Sequence, residues 1–138
     1  MGRRCKLLIM RNIFLTLFFI ISLFFCCSKN KKASFKNVSI DKLEVLVNGN
    51  NVKLIDVRRP SEFNNGHIEN AINFDYYDVS FNENFDDLDK SDPIILYCKS
   101  GRRSSKSAIK LVKKGFKHVY NLEGGFENWI FKGKAIQY

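Results

Sequence analysis

The fold of this chain is decided by the stretch Ile94-Ile95-Leu96-Tyr97-Cys98-Lys99-Ser100-Gly101-Arg102-Arg103-Ser104-Ser105. Its first four residues are aliphatic or aromatic without polar alternation, which is typical of a strand buried on both faces of a parallel sheet. From Ser104 onward the apolar residues recur with helical spacing, at Ala108, Ile109, Leu111, Val112 and Phe116. The pattern predicts a strand, a loop and a helix. Cys98 ends the strand, where open α/β sheets form their ligand sites.

The residues around Cys98 indicate an activated thiol. Backbone N–H groups of a loop that leads into a helix, together with the helix dipole, favour a bound anion. Such surroundings lower a cysteine pKa from about 8.5 into the range of roughly 3.5 to 7.5. Gly101 permits a close backbone approach, and Arg102 and Arg103 carry planar forks suited to a sulfur or phosphorus oxoanion. A lone cysteine is more often a small buried apolar residue. The basic neighbours, which include Lys99, favour a nucleophile here.

The loop Cys98-Lys99-Ser100-Gly101-Arg102-Arg103-Ser104 resembles the active-site loop of rhodanese-domain sulfurtransferases. Earlier in the chain, Asp56-Val57-Arg58 resembles the Asp-Val-Arg element of that family. Glu62-Phe63 and the segment 66–73 resemble its Glu-Phe, Gly-His-Ile and Ala-Ile-Asn elements. These motifs follow one another in the family's order, so together they are far more specific than the cysteine loop alone.

The resemblance continues to the end of the chain, where the segment 119–126 and Trp129 are similar to the family's Gly-Gly turn and its short tryptophan-bearing helix. It covers residues 38–133. The implied fold is a rhodanese-like α/β domain with a mostly parallel five-stranded sheet and helices on both faces.

The resemblance also implies a reaction. Cys98 would attack thiosulfate or a similar sulfur donor, Arg103 and also Arg102 would hold the leaving sulfite, and a thiol or cyanide would then accept the sulfur from a Cys98 persulfide. The loop residues expected to bind the substrate are Lys99, Ser100, Gly101, Arg102, Arg103 and Ser104. No cofactor is required, and the partners expected are the small-molecule donor and acceptor.

Two other function classes stay open at this point. One is a rhodanese-fold module that binds a partner without catalysis, although such modules commonly lack the cysteine. The other is a cysteine phosphatase or arsenate reductase on the same fold. In those enzymes five residues separate the cysteine and the arginine, whereas four separate Cys98 and Arg103. The shorter loop favours a single sulfur atom over a tetrahedral phosphate.

Three polar residues outside the loop are expected to support the structure. Asp56 and Arg58 follow a strand end and are predicted to brace the loops beside the site, with a direct contact to the substrate as the alternative. His67 is predicted to be a hydrogen-bonded structural histidine. A metal site has little support, because His67 and His118 are isolated and the sequence has no Cys-x-x-Cys motif.

Strands alternate with helices along the rest of the domain, which implies a parallel sheet covered on both faces. The predicted strands are 35–38, 52–55, 71–74, 94–97 and 118–121. Helices are predicted after Ser39, briefly from Pro60, from Ser104, and around Phe126, Trp129 and Ile130. The segment 76–92 is rich in Asp and Asn and is predicted to be a loop or one irregular helix.

The N-terminus resembles the signal peptide of a bacterial lipoprotein. Four basic residues precede a charge-free run over 13–27, which is short for a membrane span of about 20 residues. The run ends at Cys26 and Cys27, of which Cys27 is the preferred lipidation site. An uncleaved signal anchor and a start at Met10 are the alternatives. The expected organisation is a signal peptide at 1–27, a basic linker at 28–35 and the domain at 36–138. The protein is thus expected to be exported and held at the cell-envelope membrane by its lipid.

Charge and cysteine content narrow the function classes further. The formal net charge is +9, of which the four basic residues of the first 27 contribute +4. The remaining charge of about +5 comes with no nucleic-acid motif, so nucleic-acid binding is not expected. Cys98 is the only cysteine after Cys27, which excludes an internal disulfide in the domain. We expect a monomer.

Overall fold

A computed structural model describes residues 34–49 and 52–138 of the chain. The predicted signal peptide, both candidate lipidation cysteines and most of the linker lie outside this part. Within the described residues, no helix is both long enough and apolar enough to cross a membrane.

Strands and helices alternate along the chain. The strands are β1 (Lys36–Val38), β2 (Lys53–Asp56), β3 (Ile72–Asn73), β4 (Pro93–Tyr97) and β5 (His118–Leu122). The helices are α1 (Ile40–Gly49), α2 (Pro60–Asn64), α3 (Arg102–Lys113) and α4 (Gly125–Phe131), and a 3₁₀ turn spans Glu83–Phe85.

The five strands form one sheet in the order β1-β5-β4-β2-β3, and all neighbouring pairs are parallel. The central strand β4 places Ile95 beside Leu54 of β2 and Tyr120 of β5. The predicted five-stranded α/β fold is confirmed, and the sheet is parallel throughout. All strands therefore end at one edge, and β4 delivers Cys98 to the middle of that edge.

The sheet separates two apolar cores. Ile94, Leu96 and Cys98 face the core under α3, whereas Ile95 and Tyr97 face the core formed with α1 and α4. Residues 94–97 are all fully buried. A strand covered on both faces needs apolar side chains at every position, which explains why β4 has no polar alternation.

Ile109, predicted to lie on the apolar face of its helix, and Ile130, on the predicted last helix, both lie largely outside the core. Ile109 on α3 and Ile130 on α4 are 46% and 52% exposed, although their neighbours Ala108 and Trp129 are buried. Successive helical residues point about 100° apart, so the neighbour of a buried residue can turn to the edge of the buried stripe. Helix α3 also begins at Arg102, two residues before its predicted start at Ser104.

The segment 76–92 is a series of turns around the single 3₁₀ turn rather than a helix. Asp78 and Asp89 accept hydrogen bonds from the backbone N–H groups of Ser80 and Ser91, a local pairing that competes with helix formation. Phe81 and Phe85 from this segment are nonetheless 2% and 1% exposed. The turns thus close the core beneath α3 with two aromatic side chains.

Candidate active site

The Cys98 sulfur lies at the end of β4 and faces the first turn of α3. The residue is 1% exposed. The Gly101 N–H donates to the sulfur over 3.2 Å, and the Ser104 hydroxyl donates over 3.5 Å. The loop therefore encloses the thiol with hydrogen-bond donors, as an anion requires.

This arrangement changes the acidity of the thiol. Burial by itself raises the pKa of Cys98, because it disfavours the charged form. Hydrogen bonding from the Ser104 hydroxyl, which lies 3.5 Å from the sulfur, and from backbone N–H groups of the loop has the opposite effect. Together these donors outweigh the burial, so the pKa of Cys98 is lowered from its ordinary value. The site favours a thiolate, the form that acts as a nucleophile.

Gly101 makes the tight turn that brings these donors to the sulfur. Its φ is 92°, in the left-handed region that side chains with a Cβ rarely adopt. Its carbonyl oxygen accepts from the Ser105 N–H over 3.0 Å and from the Ser105 hydroxyl over 2.7 Å. The loop conformation is therefore fixed by α3 itself.

The other side of the loop is held by α4. The N–H groups of Phe126 and Glu127 donate to the carbonyl oxygens of Cys98 and Lys99 over 2.8 and 3.0 Å. Gly125 sits so close that an added Cβ would lie 2.4 Å from the Cys98 carbonyl oxygen. These hydrogen bonds orient the carbonyl groups of Cys98 and Lys99 toward α4. The Gly101 N–H of the same loop points to the sulfur.

The Arg103 guanidinium, which was predicted to hold a leaving anion, is bound to a carboxylate. Its two terminal nitrogens donate to the two oxygens of Glu62 over 2.7 and 2.8 Å. The hydrogen bond from Arg103 outweighs partial burial and lowers the pKa of Glu62 to about 2. The same pairing raises the pKa of Arg103. Both groups are therefore charged at neutral pH.

A cleft of about 330 Å³ opens onto Cys98 and is lined by Tyr77, Lys99, Ser100, Arg102 and Arg103. Lys99 and Arg102 are exposed. The Lys99 amino group lies 3.5 Å from the Glu127 carboxylate, and both side chains are mostly in solvent. The predicted loop residues are thus brought together around the sulfur, with a positively charged mouth.

Comparison with known proteins shows the family to which this domain belongs. The family model described as the rhodanese-like domain matches residues 39–132. The chain belongs to the rhodanese family. This rhodanese domain is 34% identical over 97 residues to the thiosulfate sulfurtransferase GlpE of Shewanella oneidensis, and the match covers 70% of this chain and 94% of that protein.

Two further relatives show how widely the domain is used. The rhodanese domain is 36% identical over 104 residues to a tRNA uridine(34) hydroxylase of Pelagibacter ubique, covering 75% of this chain but only 34% of that protein. A crystal structure of a rhodanese-like domain protein from Staphylococcus aureus superimposes with a TM-score of 0.61 at 28% identity, covering 69% of this chain and 91% of that one. The fold is therefore shared with solved rhodanese-like domains.

Asp56 and Arg58 lie inside the rhodanese domain rather than in the cleft. Arg58 Nε donates to both carboxylate oxygens of Asp56, over 3.0 and 2.8 Å, and the Arg58 guanidinium also donates to the Gly66 carbonyl oxygen over 2.8 Å. Asp56 is fully buried, and Arg58 packs over the Phe126 ring at 4.0 Å. The pair braces the loop after β2 against α4, the element that holds the cysteine loop.

His67 of the rhodanese domain is hydrogen-bonded within the fold. Its ring stacks on Phe63 with the centroids 3.8 Å apart, and Nδ1 lies 3.1 Å from the Phe63 carbonyl oxygen. Its backbone pairs with Gln137 near the C-terminus. This is a structural position, as the sequence pattern indicated.

Three residues of the site were missed as functional positions in the sequence. Glu62 and Gly125 belong to motifs that resemble the family's, but nothing in the sequence pattern indicates that Glu62 binds Arg103 or that Gly125 contacts the Cys98 carbonyl oxygen. Tyr77 lies in the segment 76–92, whose turns carry no periodic signal. Only charge complementarity between Glu62 and the doubly basic loop could have predicted a contact.

Proposed function

We propose that this protein is a thiosulfate sulfurtransferase that carries sulfur on Cys98. The observation that carries the proposal is the enclosed Cys98 sulfur, which faces hydrogen-bond donors from the loop and from the first turn of α3. The chain resembles a thiosulfate sulfurtransferase over 94% of the length of that relative, and this resemblance supports the same reaction.

The reaction is a double displacement. The Cys98 thiolate attacks the outer sulfur of thiosulfate, a new S–S bond forms, and the bond to the inner sulfur breaks, so that sulfite leaves with the electron pair. The product is a Cys98 persulfide anion, which the loop N–H groups stabilise. A cyanide or thiolate acceptor then attacks the outer sulfur, leaves as thiocyanate or as a new persulfide, and restores the Cys98 thiolate.

Arg102 is the best candidate to hold the departing sulfite. Among the residues that the structure describes, Arg102 has no carboxylate partner, whereas Arg103 is bound to Glu62. Arg102 is exposed, lines the cleft and sits at the N-terminus of α3, where an anion is also favoured by the helix dipole. Lys99 adds a second cation at the mouth.

The decisive experiment measures thiocyanate formation from thiosulfate and cyanide by the wild-type protein and by Cys98→Ala. We expect turnover in the wild type and none in the variant, with a mass increase of one sulfur atom on Cys98 after thiosulfate alone. Aryl phosphates should not be hydrolysed. Phosphatase turnover that is lost in Cys98→Ser, with no sulfur on the protein, would overturn the proposal.

We also propose that the domain is exported and tethered through a lipid on Cys27 or Cys26. The support is the charge-free run that ends at these cysteines and the basic residues that follow. Mass spectrometry of the protein from its native membrane should find an acylated N-terminal cysteine. An intact terminus at Met1 or Met10 would contradict this location.

A further inference from the structure

The Glu62–Arg103 pair joins two elements that are distant in the chain. Glu62 lies on the short helix α2, and Arg103 lies 41 residues later in the first turn of α3. The contact is a bidentate one, in which two parallel hydrogen bonds fix the plane of the guanidinium. The Arg103 side chain is only 15% exposed and that of Glu62 is 30% exposed, so solvent screens this pair less than the Lys99–Glu127 contact.

Glu62 is itself held in place by its own helix. The Glu62 carboxylate accepts a third hydrogen bond, from the Arg59 N–H over 3.1 Å. The Arg59 guanidinium in turn packs over the Tyr77 ring at 4.6 Å. The Glu62 carboxylate is therefore held in place independently of Arg103, and it determines where the Arg103 guanidinium binds.

Arg103 carries this constraint to the sulfur through its backbone. The next residue, Ser104, donates its hydroxyl to the Cys98 sulfur over 3.5 Å, and backbone N–H groups of the same turn also lower the pKa of the thiol. The first turn of α3 contains two cations and no acidic residue, a combination that the helix dipole disfavours. Glu62 supplies the missing negative charge from another part of the fold.

We infer that Glu62 is a positioning residue for the sulfur site: by binding both terminal nitrogens of Arg103, it holds the first turn of α3 where its donors face Cys98. The inference deepens the function proposed above and rests on it for the role of Cys98. In this role Arg103 connects α3 to Glu62 on α2, and it does not bind the substrate anion.

The test compares Glu62→Gln with Glu127→Gln in the full chain. The second variant is a matched control, because it neutralises the carboxylate on the other side of the same loop, where the pair with Lys99 is exposed. The measurement is the pH dependence of Cys98 alkylation by iodoacetamide, followed on the Cys98 peptide by mass spectrometry. The reagent is neutral, so a freed Arg103 cannot attract it.

The sign of the effect separates positioning from simple charge. Removing a negative charge near Cys98 would stabilise the thiolate and lower its pKa. If the first turn of α3 is no longer held in place, its hydrogen-bond donors move away from the sulfur and the pKa of Cys98 rises. We expect Glu62→Gln to raise the pKa of Cys98 by about one unit, which is about tenfold less thiolate at low pH. Glu127→Gln should leave the pKa of Cys98 unchanged, because solvent screens the exposed Glu127 carboxylate.

A pKa that falls, or that matches the control, would overturn the inference. If Glu62→Gln does not fold, Glu62→Asp decides by the same criterion, because it keeps the charge and withdraws the carboxylate by one methylene. Alkylation does not depend on sulfur transfer. Absence of thiocyanate formation in the wild type would therefore remove the proposed function without altering this result.

Discussion

At the scale of single residues, the chemistry of the site depends on how a buried sulfur is compensated. Cys98 is almost fully buried, which disfavours its ionisation. Hydrogen bonding by Ser104 contributes most to lowering the pKa of Cys98 against the effect of burial, and its hydroxyl lies 3.5 Å from the sulfur. The hydroxyl also lies 3.1 Å from the Gly101 carbonyl oxygen, so it links the turn to the thiol.

Replacing Ser104 by alanine should raise the pKa of Cys98. A hydrogen bond to a charged group contributes about 1.5 to 3 kcal/mol, so a rise of about one unit and about tenfold slower alkylation below the pKa are expected. The pH profile of Cys98 alkylation measures this. Ser105→Ala is the control, because its hydroxyl bonds only to the Gly101 carbonyl oxygen. Equal profiles for the two variants would contradict the role of Ser104.

At the scale of elements, the cysteine loop is a joint between α3 and α4. The Ser104 hydroxyl of α3 and the Gly101 N–H that precedes this helix donate to the sulfur, while α4 binds the carbonyl oxygens of Cys98 and Lys99. The two helices lie on opposite faces of the sheet, as their separate cores require. The loop can therefore keep its N–H groups pointed toward the cleft only if both helices stay docked.

Gly125→Ala should disrupt the contact between α4 and the cysteine loop. The added Cβ would lie within 3 Å of three backbone atoms of the cysteine loop, and φ at this position is +58°. Gly133→Ala is a matched control, because Gly133 has a similar φ of +66° and nothing within 4 Å of the new atom. We expect Gly133→Ala to lower the free energy of unfolding by about 1 to 2 kcal/mol, from backbone strain alone.

Thermal or urea unfolding should show that Gly125→Ala lowers the free energy of unfolding by at least about 2 kcal/mol more than the control does. Thiocyanate formation should fall at least tenfold, because the clash displaces the loop that carries Cys98, the nucleophile of the proposed reaction. Gly133→Ala should retain its activity. Similar stability and activity in the two variants would disprove the close contact.

At the scale of the whole molecule, one core of the domain is completed by an irregular segment. Phe81 and Phe85 pack edge to face at 5.2 Å, and Phe85 also contacts Phe74 and Phe116. These rings cover the face of the sheet that supports α3 and Cys98. The turns of residues 76–92 thus supply two buried aromatic side chains to this core.

Phe85→Ala should therefore behave as a core substitution. Truncation of a buried phenylalanine costs about 3 to 5 kcal/mol, and the two-state free energy of unfolding measures it. Val79→Ala is the control in the same segment, because Val79 is fully exposed and its truncation should stay within about 0.5 kcal/mol. A small effect of Phe85→Ala would mean that the segment is not part of the core.

The sequence by itself determined the features that depend on local pattern. An apolar run that ends in a cysteine, a glycine turn and a basic amphipathic helix predicted β4, the loop and α3, because strand burial and helix periodicity are both visible in consecutive residues. The motif order predicted the parallel α/β fold. The same local signals placed Cys98 at the carboxyl edge of the sheet.

Only the tertiary structure decided which groups meet there. Glu62 and Arg103 are 41 residues apart, and no periodicity connects them. The contact of Gly125 with the Cys98 carbonyl depends on how α4 docks, and the burial of Phe85 depends on turns without a pattern. Contacts between distant residues follow from the packing of whole elements. The partner of Arg103 is therefore set by the fold, whereas the position of Cys98 between β4 and the glycine turn follows from the local sequence.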